Sequence, residues 1–267
     1  MATTIRFSKY QGAGNDFILV DNRQNAFDRA DEALVAKLCD RRFGIGADGL
    51  MLLQQNENYD FEMIYFNADG REGSMCGNGG RCIVAFARDL GITTDKTAFL
   101  AVDGVHHASL AADLVNLQMI DVQDFARDGK AYVLQTGSPH YVEFVENLSH
   151  KNVYQDGYAI RNNATYGKEG INVNFIEAEG DGYFLRTFER GVEDETYACG
   201  TGATAAAMAV AIQQNLTGDI HIPIRVLGGQ LYISFHKNGQ HFTKVFLKGP
   251  AQFVFEGNYQ VSTGNQH

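Results

Sequence analysis

Apolar and polar side chains alternate over short runs along this chain. Segments 61–65, 131–134 and 243–247 turn every second residue toward one face, the period of a half-buried strand. A period of three to four residues is rarer. Segment 31–42 places Leu34, Val35 and Leu38 on one face, and Gly44 follows as a C-terminal stop. Segment 81–90 places Ile83, Phe86, Ala87 and Leu90 at helical spacing ahead of Gly91. Segment 203–213 is rich in alanine, a strong helix former with little bulk, so this helix can lie close against strands. The pattern predicts an α/β (α+β) chain in which strands outnumber helices.

The chain also repeats itself. Tyr65-Phe66-Asn67-Ala68-Asp69-Gly70 precedes Met75-Cys76-Gly77-Asn78-Gly79, and Thr187-Phe188-Glu189-Arg190-Gly191 precedes Ala198-Cys199-Gly200-Thr201-Gly202. Each Cys-Gly-x-Gly opens a helix. Upstream, Gly14-Asn15-Asp16-Phe17 and Gly137-Ser138-Pro139-His140 each lead into an apolar run, and Asn15 to Cys76 spans the same 61 positions as Ser138 to Cys199. Gly44-Ile45-Gly46 matches Gly170-Ile171-Asn172, and Gly104 and Gly229 follow their cysteines by 28 and 30 residues. Four landmarks in one order predict two copies of one α/β unit, joined near residues 118–125. The expected domains are 1–120, completed by a C-terminal strand at about 257–267, and 121–256.

Charge narrows the partners. The 267 residues carry a formal net charge of −10 with no Lys/Arg run, so nucleic acid and anionic membrane surfaces are not expected partners. No apolar stretch is long enough to span a bilayer, and residues 1–10 lack the apolar core of a signal peptide. A cytoplasmic protein with reduced thiols is expected. Its cysteines are Cys39, Cys76, Cys82 and Cys199, with no CxxC pair and no zinc spacing. His106 and His107 are adjacent, so on a strand they point to opposite faces. Neither a metal site nor a disulfide framework is expected.

A thiol where a Gly-rich turn enters a helix meets unpaired backbone N–H groups and the positive end of the helix dipole. Both favour an anion and can draw a thiol pKa from about 8.5 toward neutrality. The glycines let backbone approach a ligand, and the same N–H groups suit a substrate carboxylate. Two such thiols related by a pseudo-twofold axis suit a nearly symmetric reaction, the inversion of a carbon stereocentre. One thiolate takes a proton from one face, the other thiol returns one to the opposite face, and the roles exchange in reverse. Cys39 and Cys82 lack this setting and are expected in the interior as small hydrophobes. Gly12-Ala13-Gly14 and Gly44-Ile45-Gly46 do not continue as a dinucleotide fingerprint, and no Gly-Lys-Ser/Thr is present.

These residues resemble the diaminopimelate epimerase family. Lys9-Tyr10-Gln11-Gly12-Ala13-Gly14-Asn15-Asp16-Phe17 is similar to its GxGNDF signature, and Asp40-Arg41-Arg42-Phe43-Gly44-Ile45-Gly46-Ala47-Asp48-Gly49 follows it. The strongest likeness is Phe66-Asn67-Ala68-Asp69-Gly70 leading to Met75-Cys76-Gly77-Asn78-Gly79-Gly80-Arg81-Cys82. The second half adds Gly170 to Phe175, Glu189-Arg190-Gly191, and Glu195 to Ala203 around Cys199. The resemblance implies two similar domains, each a mixed, mostly antiparallel sheet around a central helix, with the ligand between them. It implies interconversion of LL- and meso-2,6-diaminopimelate without pyridoxal phosphate or metal, in lysine and peptidoglycan-precursor synthesis, by a homodimer. By the same resemblance Cys76 and Cys199 are the two bases. Asn67, Gly77, Asn78, Gly200 and Thr201 hold the reacting amino-acid end, and Glu189 receives its ammonium. Asn15, Asn172 and Arg190 bind substrate, Arg190 as a fork for the distal carboxylate. His140 supports the nearby thiol or Glu189. Ser138 stands where the family commonly has Asn, with a shorter reach.

Other readings remain open from the sequence. A proline-racemase-like enzyme would share the cysteine pair without needing a distal-carboxylate clamp. A thiol redox protein would use Cys76 and Cys199 as a couple. A non-catalytic binding module would tolerate the loss of one of them.

Overall fold

The computed structural model describes residues 3–73 and 75–261. The chain forms two compact units. One runs to Val115 and resumes at Ala251, and the other is Asn116–Pro250. The first unit carries β1 (Thr3–Gly12), β2 (Asn15–Asp21), α1 (Glu32–Cys39), β3 (Gly49–Gln54), β4 (Phe61–Asn67), α2 (Gly77–Asp89), β5 (Lys96–Ala101) and β6 (Gly104–Ala111). Within β7 (Leu114–Gln118) the chain passes to the second unit. There follow β8 (Ala126–Asp128), β9 (Ala131–Gln135), β10 (Pro139–Phe144), α3 (Val153–Arg161), β11 (Asn172–Glu179), β12 (Gly182–Glu189), β13 (Asp194–Thr196), α4 (Gly200–Gln213), β14 (Gly218–Val226), β15 (Gly229–Asn238) and β16 (His241–Pro250). β17 (Gln252–Val261) returns to the first unit and pairs antiparallel with β1. The return strand therefore starts earlier than the expected 257, and residues 262–267 of it lie outside the described residues.

The units share one plan. In the first, β1–β2 is antiparallel, β2–β3 parallel, β3–β4 antiparallel, β4–β5 parallel and β5–β6 antiparallel. In the second, β9–β10, β10–β11, β11–β12, β12–β14 and β14–β15 repeat those senses in that order. Even the register recurs: Phe17 lies opposite Gly49, and His140 opposite Asn172.

Each sheet wraps a helix. Every residue of α2 from Gly77 to Ala87 is buried, as is every residue of α4 from Gly202 to Ala211. A helix covered on all sides belongs to the core. The alanines of α4 allow this because they keep its diameter small. β2 and β3, beside α2, are buried on both faces. Ile18, Val20, Leu50, Leu52, Ile64 and Phe66 pack with Val35 and Leu38 of α1. Their neighbours Phe17, Leu19, Met51, Leu53 and Met63 point the other way, by the strand period of two. Val153 of α3 packs on Val173, Phe175 and Phe188 in the second unit, as α1 does in the first.

Three expected boundaries move for local reasons. α1 starts where Asp31 accepts from the Leu34 N–H, but stops at Cys39 rather than 42. The Asp40 carboxylate accepts from the N–H groups of Arg42 and Phe43 and turns the chain out of the helix. α2 and α4 begin at Gly77 and Gly200, ahead of their apolar periodicity. Among the described residues no helix is long and apolar enough to cross a membrane.

Candidate active site

β4 delivers the chain to a short connection, and α2 opens immediately after Cys76. Cys76 is the extended N-cap residue (φ −109°, ψ 121°), and its carbonyl accepts from the Gly80 N–H at 2.7 Å. Its thiol is half-buried beside the first turn, whose N–H groups have no intrahelical carbonyl to meet. Asn78 is buried within that turn. Its Oδ1 accepts from Arg81 Nη2 at 2.9 Å, and its Nδ2 donates to Asn15 Oδ1 at 2.8 Å. Arg81 Nη1 donates back to the Gly77 carbonyl at 3.2 Å. The β1–β2 turn comes this close because Gly12 has no side chain: a Cβ there would stand 3.1 Å from both the Asn78 carbonyl and Cys82 Sγ. Arg81 is fully buried, and burial pushes its guanidinium below the ordinary arginine range while Cys82 and Cys76 pull it back. Asn67 ends β4 on the surface, with its carbonyl accepting from Gly70 N–H.

The second unit builds the same kind of helix start with different groups. Cys199 is the extended N-cap of α4 (φ −121°, ψ 111°) and is 7% exposed. Its Sγ lies 3.4 Å from Thr201 Oγ1. Thr201 Oγ1 is 2.9 Å from His140 Nε2, and Ser138 Oγ is 2.9 Å from the same nitrogen and 3.3 Å from Thr201 Oγ1. On the other side of the ring, Asn174 Nδ2 meets His140 Nδ1 at 3.0 Å. Asn174 Nδ2 also donates to the Tyr141 carbonyl at 2.9 Å, which can only accept. The amide nitrogen therefore faces the ring, Nδ1 accepts, and the ring hydrogen sits on Nε2, pointing at the two hydroxyls. His140 is fully buried, and burial lowers its pKa to about 3. It stays neutral at ordinary pH and directs hydrogen bonds rather than exchanging protons. Ser138 and Thr201 receive the ring hydrogen, and the Thr201 hydroxyl is placed to donate to Cys199 Sγ when that sulfur is a thiolate, which has no hydrogen of its own.

Asn172 joins this cluster to the candidate substrate-binding residues. Its Nδ2 donates to Ser138 Oγ at 3.0 Å and to the Pro139 carbonyl at 3.1 Å, and its Oδ1 accepts from Arg190 N–H at 2.9 Å. Arg190 Nη1 donates to the Glu169 carbonyl at 3.1 Å. Glu189 accepts from the Thr196 hydroxyl at 3.0 Å. Ser138 thus keeps its place in the network despite its short side chain.

Sequence reasoning singles out Asn15, Gly77 and Asn78 beside Cys76, and His140, Asn172, Gly200 and Thr201 beside Cys199. The structure brings each group together within its own unit. It adds groups given no role from sequence: Asp48, bonded to Asn15; Arg81, bonded to Asn78; and Asn174, bonded to His140. Asn174 follows Asn172 by two on β11, a polar alternation in an apolar strand that could have signalled it. Cys39 and Cys82 are buried as expected, and burial pushes each thiol up to about 12, leaving them protonated.

A sheet of this plan around a buried helix, repeated once, is the fold of a solved phenazine biosynthesis protein of the PhzF family from Bacillus anthracis. The two chains align with TM-score 0.77 at 15% identity, over 97% of this chain and 99% of that one. A hydroxyproline epimerase from Agrobacterium vitis aligns with TM-score 0.70 at 12% identity, over 97% and 93%. At those identities the likeness concerns the fold alone. Sequence carries it further. Residues 7–113 and 132–254 match the diaminopimelate epimerase family profile. A diaminopimelate epimerase from Flavobacterium psychrophilum is 50% identical over 254 residues, covering 94% of this chain and 99% of that relative. One from Chlorobaculum tepidum is 43% identical, covering 92% and 98%. The chain belongs to the diaminopimelate epimerase family.

Proposed function

We propose that this protein is an isomerase that interconverts LL- and meso-2,6-diaminopimelate by two-thiol proton transfer, without a cofactor. The observation that carries the reading is the duplicated helix start, Cys76 on α2 and Cys199 on α4, in a chain of this family. One thiolate removes the α-hydrogen as a proton, leaving a carbanion conjugated with the carboxylate. The other thiol protonates that carbon from the opposite face. The N–H groups of Gly77 and Asn78, and of Gly200 and Thr201, suit the α-carboxylate, on which the developing charge falls. Glu189 and Asn67 take the ammonium, Asn15 and Asn172 bind substrate, and Arg190 takes the distal carboxylate. The family match favours this over a proline-racemase-like activity. We further propose a cytoplasmic homodimer; exposed Phe253, Val254 and Phe255 on β17 support self-association through that strand, and sedimentation reads it.

Incubation of LL-diaminopimelate with the protein in D₂O should place deuterium at Cα and yield the meso form, with activity kept after dialysis against chelator. Lysine, which lacks the distal carboxylate, should exchange far more slowly. Comparable turnover of proline, or activity that returned only with added metal or pyridoxal phosphate, would overturn the reading.

A further inference from the structure

Asn78 and Asn15 bond side chain to side chain at the start of α2, and an amide pair alone has no preferred direction. Either amide can donate and the other accept. Here both ends are set. Arg81 has hydrogens to give and donates Nη2 to Asn78 Oδ1 at 2.9 Å. Asp48 has only oxygens to offer and accepts from Asn15 Nδ2 at 3.1 Å. The bond between them must then run from Asn78 Nδ2 to Asn15 Oδ1, as found at 2.8 Å. Asp48 is itself held: its Oδ1 accepts from Arg41 Nη2 at 2.6 Å and its Oδ2 from the Asp16 N–H at 3.2 Å. Arg41 also clamps Asp16 at 2.6 Å, and Lys9 pairs with Asp16 at 2.7 Å. Reversing the chain would put Asn78 Nδ2 against a guanidinium and Asn15 Oδ1 against a carboxylate.

We propose that Arg81 and Asp48 are positioning residues that fix the Asn78–Asn15 amide pair in one direction, so that Asn15 meets the anionic substrate as an N–H donor. An amide nitrogen carries two hydrogens. Asp48 takes one from Asn15, and the other, on the opposite side of the same nitrogen, is offered to a carboxylate. This rests on the binding role given to Asn15 above.

The test exchanges the two end groups. Asp48→Asn lets position 48 present either an oxygen or a nitrogen, so direction is no longer imposed. Asn15→Asp combined with Asp48→Asn restores a directed chain at unchanged net charge, because the new carboxylate accepts from Asn78 and from the new amide. It places an anion where the donor stood. The Asp16 N–H loses its acceptor when the amide at position 48 turns its nitrogen inward, as it must in the double variant and can in the single, so the single variant is the nearest control. The single substitution should raise KM for diaminopimelate about tenfold and the double about a hundredfold or more, the scale of lost and reversed hydrogen bonds to a charged group, with kcat changed far less. A double variant with KM no higher than the single would overturn the proposal. A neutron structure of the wild type reads the direction without turnover. Deuterons on the Asn15 atom facing Asp48 and the Asn78 atom facing Asn15 are expected, and the reverse placement would refute it. Failure of the wild type to turn over diaminopimelate would instead sink the functional reading and leave the neutron result to decide this one.

Discussion

At the start of α2 the buried polar group is an arginine of the helix itself; at the start of α4 it is a histidine on a neighbouring strand. The two helix starts otherwise correspond position for position. Asn78 bonds Asn15 in one, and Thr201 bonds Ser138 in the other. Arg81 donates to the first helical carbonyl, Gly77, and Thr204 donates to its counterpart, Gly200. Phe17 occupies on β2 the place His140 holds on β10, and Met51 on β3 the place Asn174 holds on β11. One backbone therefore supports two ways of making a thiol at a helix N-terminus an acceptor. The first puts a buried cation close by. The second uses a neutral chain, Asn174 to His140 to Thr201, that ends with a hydroxyl 3.4 Å from sulfur, a donor to it once the sulfur is a thiolate. A cation favours a thiolate at any orientation, whereas the neutral chain works only if every amide and ring in it points the right way. That difference matches the fixed tautomer and full burial of His140.

The largest effects should come from removing either thiol. Cys76→Ser and Cys199→Ser should each lower epimerisation by more than about 10⁴-fold, because the reaction needs both an acid and a base. Cys39→Ser and Cys82→Ser should keep near-normal turnover with modest losses of stability. With a substrate carrying a leaving group at Cβ, proton removal alone triggers elimination. Each active-thiol variant should still eliminate from one epimer, and the two should prefer opposite epimers. Elimination from the same epimer by both would break the correspondence between α2 and α4.

A smaller effect separates the two ways of tuning. Thr201→Val removes the hydroxyl that stands 3.4 Å from Cys199 Sγ and 2.9 Å from His140 Nε2. It should lower kcat about 10- to 100-fold, the scale of one hydrogen bond to a charged group. In the elimination assay the loss should fall on the epimer that needs Cys199 as base. Equal loss for both epimers would mean that Thr201 serves substrate binding rather than sulfur.

Much of this plan is legible in the chain because duplication writes the same signals twice. The Cys-Gly-x-Gly turns, the equal spacing back to Asn15 and Ser138, and the burial of Cys39 and Cys82 all follow from residue type and position. What periodicity misses is structure without apolar alternation. The first turns of α2 and α4 are Gly, Asn and Thr, so their starts appear late in a hydrophobic pattern. α3 escapes the pattern altogether, since Gly157 weakens its helical signal. Packing explains that glycine: a Cβ there would lie 2.3 Å from Phe188 Cβ. Arg81 and Asp48 stand in recognisable motifs, but their partners are set by tertiary contact, and no local spacing reveals which amide each one holds.

The smallest expected effect is on stability and tests the neutral state of His140. Its ring titrates at about 3 in the folded chain against 6.5 for an ordinary histidine, with burial as the main cause and Arg190 adding to it. Between those values the unfolded chain binds the extra proton. The contribution of the neutral ring is therefore fully present above pH 6.5 and is lost as pH falls toward 3, at about 1.4 kcal/mol per pH unit for this group. The carboxylates held low by their partners, Asp16, Asp21, Asp103 and Glu179 among them, start from 3.8 or 4.5 and act below that. Urea unfolding at about pH 6.5, 5.5 and 4.5 should then show wild-type stability falling, while His140→Gln shows a flatter profile. The comparison is of slopes, so a constant penalty from the substitution cancels. The first unit has phenylalanine at the matching position, and Phe17→Leu should leave the wild-type slope intact whatever it costs in stability. Identical slopes for wild type and His140→Gln would mean that His140 carries a proton in the folded protein, and the direction assigned to the Thr201 hydroxyl would lose its support.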